Sequence, residues 1–149
     1  MRTITRDIVG ALIFSNDGHV LLGKNVKGGV YDDLWVIPAG GIDENETKEQ
    51  AVRREIFEEV GIDLASAKLR LLPQVNTGTT EKTLRDTGER VLVDMTFYDF
   101  RADIDLPADQ IEISLTDDFA HAEWVALDRL ADLPYSPSVK KLLESLNLI

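Results

Sequence analysis

Apolar residues along this chain keep two rhythms, and each change of rhythm marks an element. Residues 7–14 (DIVGALIF) form an apolar run rich in β-branched side chains that stops at Ser15-Asn16-Asp17-Gly18. Asp-Gly between apolar runs is a strong hairpin signal, so residues 19–24 (HVLLGK) read as the return strand. Residues 27–33, with Gly28, Gly29 and Tyr31, read as a loop, and residues 34–37 as a short strand. From Thr47 the rhythm becomes helical. Thr47 followed by Gln50 is a capping-box start, Val52, Ile56 and Val60 make an apolar stripe, and Gly61 can take the left-handed conformation that closes a helix.

Beyond the helix, residues 68–75 (KLRLLPQV) read as a strand interrupted by Pro73, which predicts a sheet edge or a bulge. Residues 76–90 are polar, with two glycines and five threonines, and read as a long loop. Such a loop either shapes a substrate pocket or is a mobile hairpin tip. Residues 91–101 (VLVDMTFYDFR) are the clearest long strand. Val91, Val93, Met95, Phe97 and Asp99 share one face, and Leu92, Asp94, Thr96, Tyr98 and Phe100 the other. Neither face is wholly polar, so the strand belongs in mid-sheet. Residues 102–118 are acidic and turn-like, 121–127 a strand, 128–133 a short helix or turn. Residues 137–147 close the chain as a helix with Leu142, Leu143 and Leu146 on its inner side. The order is that of an α+β fold. No repeat or linker interrupts it, so residues 1–149 read as a single domain.

The helix at residue 47 carries a second stripe. Glu55, Glu58 and Glu59 stand at i, i+3 and i+4, which stacks their carboxylates on one face beside the apolar one. Like charges so placed destabilise a helix by roughly a few tenths of a kcal/mol per pair. A hard divalent cation would reverse that sign, because oxygen-only ligation suits Mg²⁺, Mn²⁺ or Ca²⁺. A solvated acidic face is the ordinary alternative. Net charge, −11 by formal count, argues against nucleic acid as a partner, since that needs a basic footprint. It also means that a phosphorylated substrate is repelled at long range unless cations neutralise the site. The absence of cysteine excludes disulfides, thiolate metal sites and cysteine nucleophiles, and points to the cytoplasm. No run reaches the apolar length of a membrane span, and no charged-then-apolar leader opens the chain.

The residues around the acidic stripe decide between the two readings. Residues 40–62 run Gly40, five residues, Glu46, seven residues, then Arg54-Glu55-Ile56-Phe57-Glu58-Glu59-Val60-Gly61-Ile62. This resembles the Nudix box, the signature of hydrolases acting on a nucleoside diphosphate linked to another group. Trp35-Val36-Ile37-Pro38 precedes the box as an aromatic-to-proline strand end commonly does in that family. Two positions depart from the usual pattern. Pro38-Ala39-Gly40 stands where Pro-Gly-Gly is usual, and Asn45 stands where glycine is frequent, Asn tolerating positive φ better than most other non-glycine residues.

The resemblance implies an α-β-α sandwich around a mixed β-sheet. It also implies that Glu55, Glu58 and Glu59 are metal ligands for Mg²⁺ or Mn²⁺, joined by the backbone carbonyl of Ala39. Glu46 matches the position that supports the loop and sometimes reaches a metal through water. Arg54 matches an arginine that orients the carboxylates by ion pairing; with Lys24 it is the cationic candidate on the substrate side. Lys24 and Lys27 are otherwise ordinary surface lysines. Any of Glu55, Glu58 and Glu59 could be the catalytic base, because members of the family differ. Asp118, six residues before Trp124 and next to Asp117, matches an acid that completes the site in several members. His121 is the weaker candidate for base.

Three functions compete at this point. The first is a metal-dependent pyrophosphohydrolase, acting on (deoxy)nucleoside triphosphates or nucleotide sugars. The second is a Nudix-fold domain that senses a nucleotide without cutting it, against which the complete carboxylate set argues. The third is an isoprenoid diphosphate isomerase, whose chemistry in the family form resembling this box uses a cysteine that is absent here. No accessory signature for coenzyme A, ADP-ribose or dinucleoside polyphosphates is evident. The partner is a small nucleotide, and a homodimer stays open because the sequence does not fix oligomeric state.

Overall fold

The computed structural model describes residues 1–24, 33–116, 119 and 121–149. Lys27, Tyr31, Asp117 and Asp118 therefore lie outside the described residues, along with most of the loop expected at 27–33. Among those described, strands β1 (Arg2–Phe14), β2 (His19–Lys24), β3 (Ala39–Gly41), β4 (Lys68–Thr83), β5 (Arg90–Asp103) and β6 (His121–Ala126) form one sheet. Its order is β4-β5-β1-β2-β6, with β3 pairing β1 off that path. The β1–β5 pair is parallel and the other pairs are antiparallel, so the sheet is mixed. Helix α1 (Lys48–Val60) packs against β1 and β3, and α2 (Pro137–Ser145) against β4. The result is the α-β-α sandwich around a mixed sheet that the resemblance implies.

Local chemistry accounts for most of these elements. Gly18, at φ 80°, turns the β1–β2 hairpin, and both strands bury their apolar runs from Val9 to Phe14 and Val20 to Leu22. Thr47 accepts from the Gln50 N–H (3.1 Å) while the Gln50 side chain accepts from the Thr47 N–H (2.9 Å), which completes the expected capping box. Gly61 ends α1 at φ 71°. Val52, Ile56 and Val60 are fully buried, joining Leu12, Leu21, Leu142 and Leu143 in one core.

Several boundaries differ from the sequence reading. The long loop expected at 76–90 is instead the far end of a hairpin: β4 runs to Thr83, β5 starts at Arg90, and Gly88 (φ 71°) shapes the tip. The Leu84 N–H donates to the Glu89 carbonyl (2.9 Å), closing that tip. β4 is the edge strand, and its register shifts between Leu71 and Val75, around Pro73, so both the edge and the bulge expected there are present. Residues 34–37 reduce to isolated bridges, Trp35 with Tyr135 and Val36 with Gly23. β5 lies between β4 and β1, the mid-sheet place its two-faced pattern predicts. Among the described residues, no helix is long and apolar enough to cross a membrane.

Candidate active site

A clasp around Arg54 builds the site. Asn45, at φ 65°, turns the loop between β3 and α1 in the conformation its side chain tolerates. That turn brings Glu46 back onto the helix, where its two oxygens accept from Arg54 Nε (2.7 Å) and Nη2 (2.8 Å). A third acceptance, from the Asp43 N–H (2.9 Å), ties the carboxylate to its own loop. The paired guanidinium, followed by that N–H, holds Glu46 down at about 2, so it stays ionised at any working pH. Arg54 also donates to the Gly41 carbonyl (2.9 Å), Glu55 (2.7 Å) and Glu58 (3.3 Å), and meets Asp43 at 3.4 Å. One rigid fork thereby sets the loop, β3 and two of the candidate metal-ligand carboxylates in register.

Each of the three stacked glutamates sits differently. Glu55 lies over the bare Cα of Gly40, where any Cβ would collide with its carboxylate. Burial pushes its pKa up, and Arg54 opposes that rise. Glu59 accepts from the Ala39 N–H (2.7 Å), so the β3 backbone anchors it. Glu58 is the most exposed of the three, its side chain held only loosely by Arg54. Lys24 places its ammonium 4.9 Å from the centroid of the Trp35 ring, which His121 contacts from a neighbouring strand. Ala39 opens β3 opposite Gly10 of β1.

The donor set fits a hard divalent cation: carboxylates and a backbone carbonyl, with no sulfur or imidazole among them. Gly40 leaves the space in which Glu55 stands. Among the described residues, however, no three carboxylate or imidazole groups converge on one point as they stand. Each carboxylate instead takes a donor of its own, Glu55 from Arg54 and Glu59 from the Ala39 amide. A cation would supply what gathers them.

Sequence reasoning missed one polar group near this centre. Asp99, 5% exposed at the inner end of β5, lines a cavity of about 180 Å³ together with Glu59, Ala39, Val36 and Ser138. Burial alone raises its pKa to about 6. Its only signal in the sequence is an aspartate on the otherwise apolar face shared by Val91, Val93, Met95 and Phe97.

Comparison with known proteins gives the chain its relatives. The family model described as NUDIX domain matches residues 4–146. An RNA pyrophosphohydrolase from Wolbachia sp. subsp. Brugia malayi is 47% identical over 60 residues, which are 40% of this chain and 35% of that protein. The match thus takes in about a third of that relative's length. Among solved structures, the E. coli dihydroneopterin triphosphate pyrophosphohydrolase superposes with a TM-score of 0.71 at 23% identity, over 95% of this chain and 96% of that one. The NUDIX domain of Shewanella oneidensis NrtR, complexed with ADP ribose, gives 0.62 at 19% identity, over 97% and 87%. At these identities the structural likenesses concern the fold.

Proposed function

This chain belongs to the NUDIX domain family, and on that footing we propose that it is a divalent-metal-dependent pyrophosphohydrolase of nucleoside diphosphates linked to another group. The observation that carries the reading is the arrangement of Glu55, Glu58 and Glu59 along one helix face beside the glycine strand β3, with Arg54 holding two of them. The family generally uses divalent metal ions; we assign Mg²⁺ or Mn²⁺, held by Glu55, Glu58, Glu59 and the Ala39 carbonyl. When bound, the metal supplies charge neutralisation of the diphosphate and a lowered pKa for coordinated water.

The chain's own residues do the rest. Arg54 orients Glu55 and Glu58, and Glu46, with both oxygens on Arg54, keeps the loop closed around them. On this reading Glu46 supports the site rather than ligating directly, and Arg54 acts on the carboxylates more than on substrate. Glu58, the loosest of the three, is our candidate for taking the proton from water as it attacks phosphorus. Asp118 completes the carboxylate set, and Lys24 meets the charged end of the substrate. The P–O bond of the diphosphate breaks, so a nucleoside triphosphate leaves as monophosphate and pyrophosphate.

The substrates we favour are (deoxy)nucleoside triphosphates or nucleotide sugars. The names of the relatives support the triphosphate, since an RNA pyrophosphohydrolase and a dihydroneopterin triphosphate pyrophosphohydrolase are both named for cutting diphosphate links. A cytoplasmic setting, in one domain over residues 1–149, goes with this reading. Ion-exchange analysis of products from a nucleotide panel with Mg²⁺ or Mn²⁺ tests it. Monophosphate with pyrophosphate is expected. Nucleotide that binds and stays intact across the panel would favour a sensing domain instead.

A further inference from the structure

The cavity beside the carboxylate helix is lined by a buried carboxylate, Asp99, that its walls leave without a partner. Asp99 has no hydrogen-bond or ion-pair partner among the described residues, although it is 5% exposed. A buried carboxylate with no donor is costly, and native interiors rarely keep one without a use. Two further orphans stand on the neighbouring strand. Gln74 Oε1 and Asn76 Nδ2 are both buried without a partner. Asn76 faces Phe97 across the β4–β5 ladder, so it lies on the side of the sheet that Phe97 shares with Asp99. Alternation from Asn76 puts Gln74 on that side too, within the bulge that opposes Asp99.

The other walls are mostly apolar or aromatic (Val36, Ile37, Met95, Phe97, Val139 and Leu142), with two serines, Ser136 and Ser138, among them. Glu59 and Ala39 line the same cavity, so whatever fills it reaches the candidate metal site. At about 180 Å³ the space is of the order that takes an aromatic ring, a 150 Å³ cavity being enough for benzene. Apolar walls with a few convergent polar atoms are the usual makeup of a small-molecule site.

We infer that Asp99, with Asn76 and Gln74 beside it, selects the ring of the substrate, and that this ring carries two adjacent N–H donors next to a carbonyl. The inference rests on the hydrolase reading only for the position of the phosphates; the ring site stands on its own geometry. A carboxylate offers two parallel acceptors, which match neighbouring ring N–H and exocyclic amino groups, while the Asn76 amide donates to the carbonyl. That edge is the 2-amino-4-oxopyrimidine of guanine, also present in pterins. Adenine presents a donor beside an acceptor and leaves one carboxylate oxygen facing a lone pair. A site built to hydrogen-bond one edge rejects the ring that lacks it, because its own buried groups are then left unpaired.

Binding of unhydrolysed rings tests this apart from catalysis. Titration calorimetry with GMP, IMP, AMP and neopterin is run in Mg²⁺ on the wild type, Asp99→Asn and Asn76→Ala. The wild type binds GMP roughly 10-fold or more tighter than AMP, with IMP, which lacks the amino group, between them. Asp99→Asn collapses the GMP to AMP ratio toward unity, and Asn76→Ala lowers it. Neopterin binding tighter than that of GMP and lost in Asp99→Asn keeps the proposal and assigns the pterin. The proposal is overturned if Asp99→Asn changes neither the GMP to AMP ratio nor neopterin binding while its melting curve stays native. GTP turnover is measured beside these. Ring preference without turnover contradicts the hydrolase reading alone, and turnover without ring preference contradicts this inference alone.

Discussion

Replacing Asp99 with asparagine keeps the shape of the side chain and removes its charge, which isolates what that charge costs the fold. In the folded chain, burial raises the carboxyl from 3.8 to about 6. A rise of that size corresponds to about 3 kcal/mol between the protonation states. The sign follows from which state holds its proton longer. Below about pH 3 the acid is protonated whether folded or unfolded, and it carries no titration penalty. As pH rises toward 6, the unfolded chain releases its proton first, so stability falls; above about pH 7, where both states are ionised, the loss is complete and constant. Asp99→Asn escapes this loss. Its stability advantage over the wild type should therefore grow by about 3 kcal/mol between about pH 3 and about pH 7.5. Urea denaturation of both proteins at the two pH values, in chelator to keep metal out, measures the difference directly. An advantage that is the same at both pH values would refute the claim that Asp99 is an unpaired buried charge. A variant that is more stable yet loses ring preference would mark Asp99 as a residue kept at the expense of the fold.

Three other perturbations follow from the geometry. Gly40→Ala drives a methyl group into the Glu55 carboxylate, so it should leave the far-ultraviolet spectrum intact while lowering turnover on the order of 10²-fold, the usual effect of an ångström-scale misplacement. Arg54→Lys keeps the charge but loses the fork that spans Glu46, Glu55 and the Gly41 carbonyl, and should weaken Mn²⁺ binding about 10- to 100-fold in a titration. Thr47→Ala removes one half of the capping box and should cost about 1 kcal/mol, read as a lower urea midpoint with unchanged slope.

What could be read from the sequence is what local chemistry alone decides. Thr47, Gln50 and Gly61 fix the ends of α1 through their own backbone bonds, and Asp17-Gly18 fixes a hairpin, so no distant partner was needed to foresee them. β3 was missed because Ala39-Gly40-Gly41 has no strand propensity; pairing with Ile8, Val9 and Gly10 makes it a strand. Residues 76–90 looked like a loop because β4 is an edge strand whose side chains from Asn76 to Thr83 are half-buried or exposed, so it has no apolar alternation to show. The threonines that suggested a loop are good strand formers once a partner is present. Asp99 was hidden by its position: its strand was legible, but its burial depends on α2 and on residues 36–39 closing over it. The box residues were legible by spacing, whereas the clasp that ties Glu46 to Arg54 depends on the positive φ of Asn45.

The proposed activity depends on Glu55, Glu58 and Glu59, which would hold the divalent metal needed for water to cleave a diphosphate. The most direct measurement is pyrophosphate release from the best nucleotide of a panel, with Mg²⁺ or Mn²⁺, for the wild type beside Glu58→Gln. Metal-dependent release by the wild type, abolished by chelator and by Glu58→Gln in a protein that still melts cooperatively, is the predicted result. Release that persists undiminished in Glu58→Gln, or that needs no metal, would contradict the account.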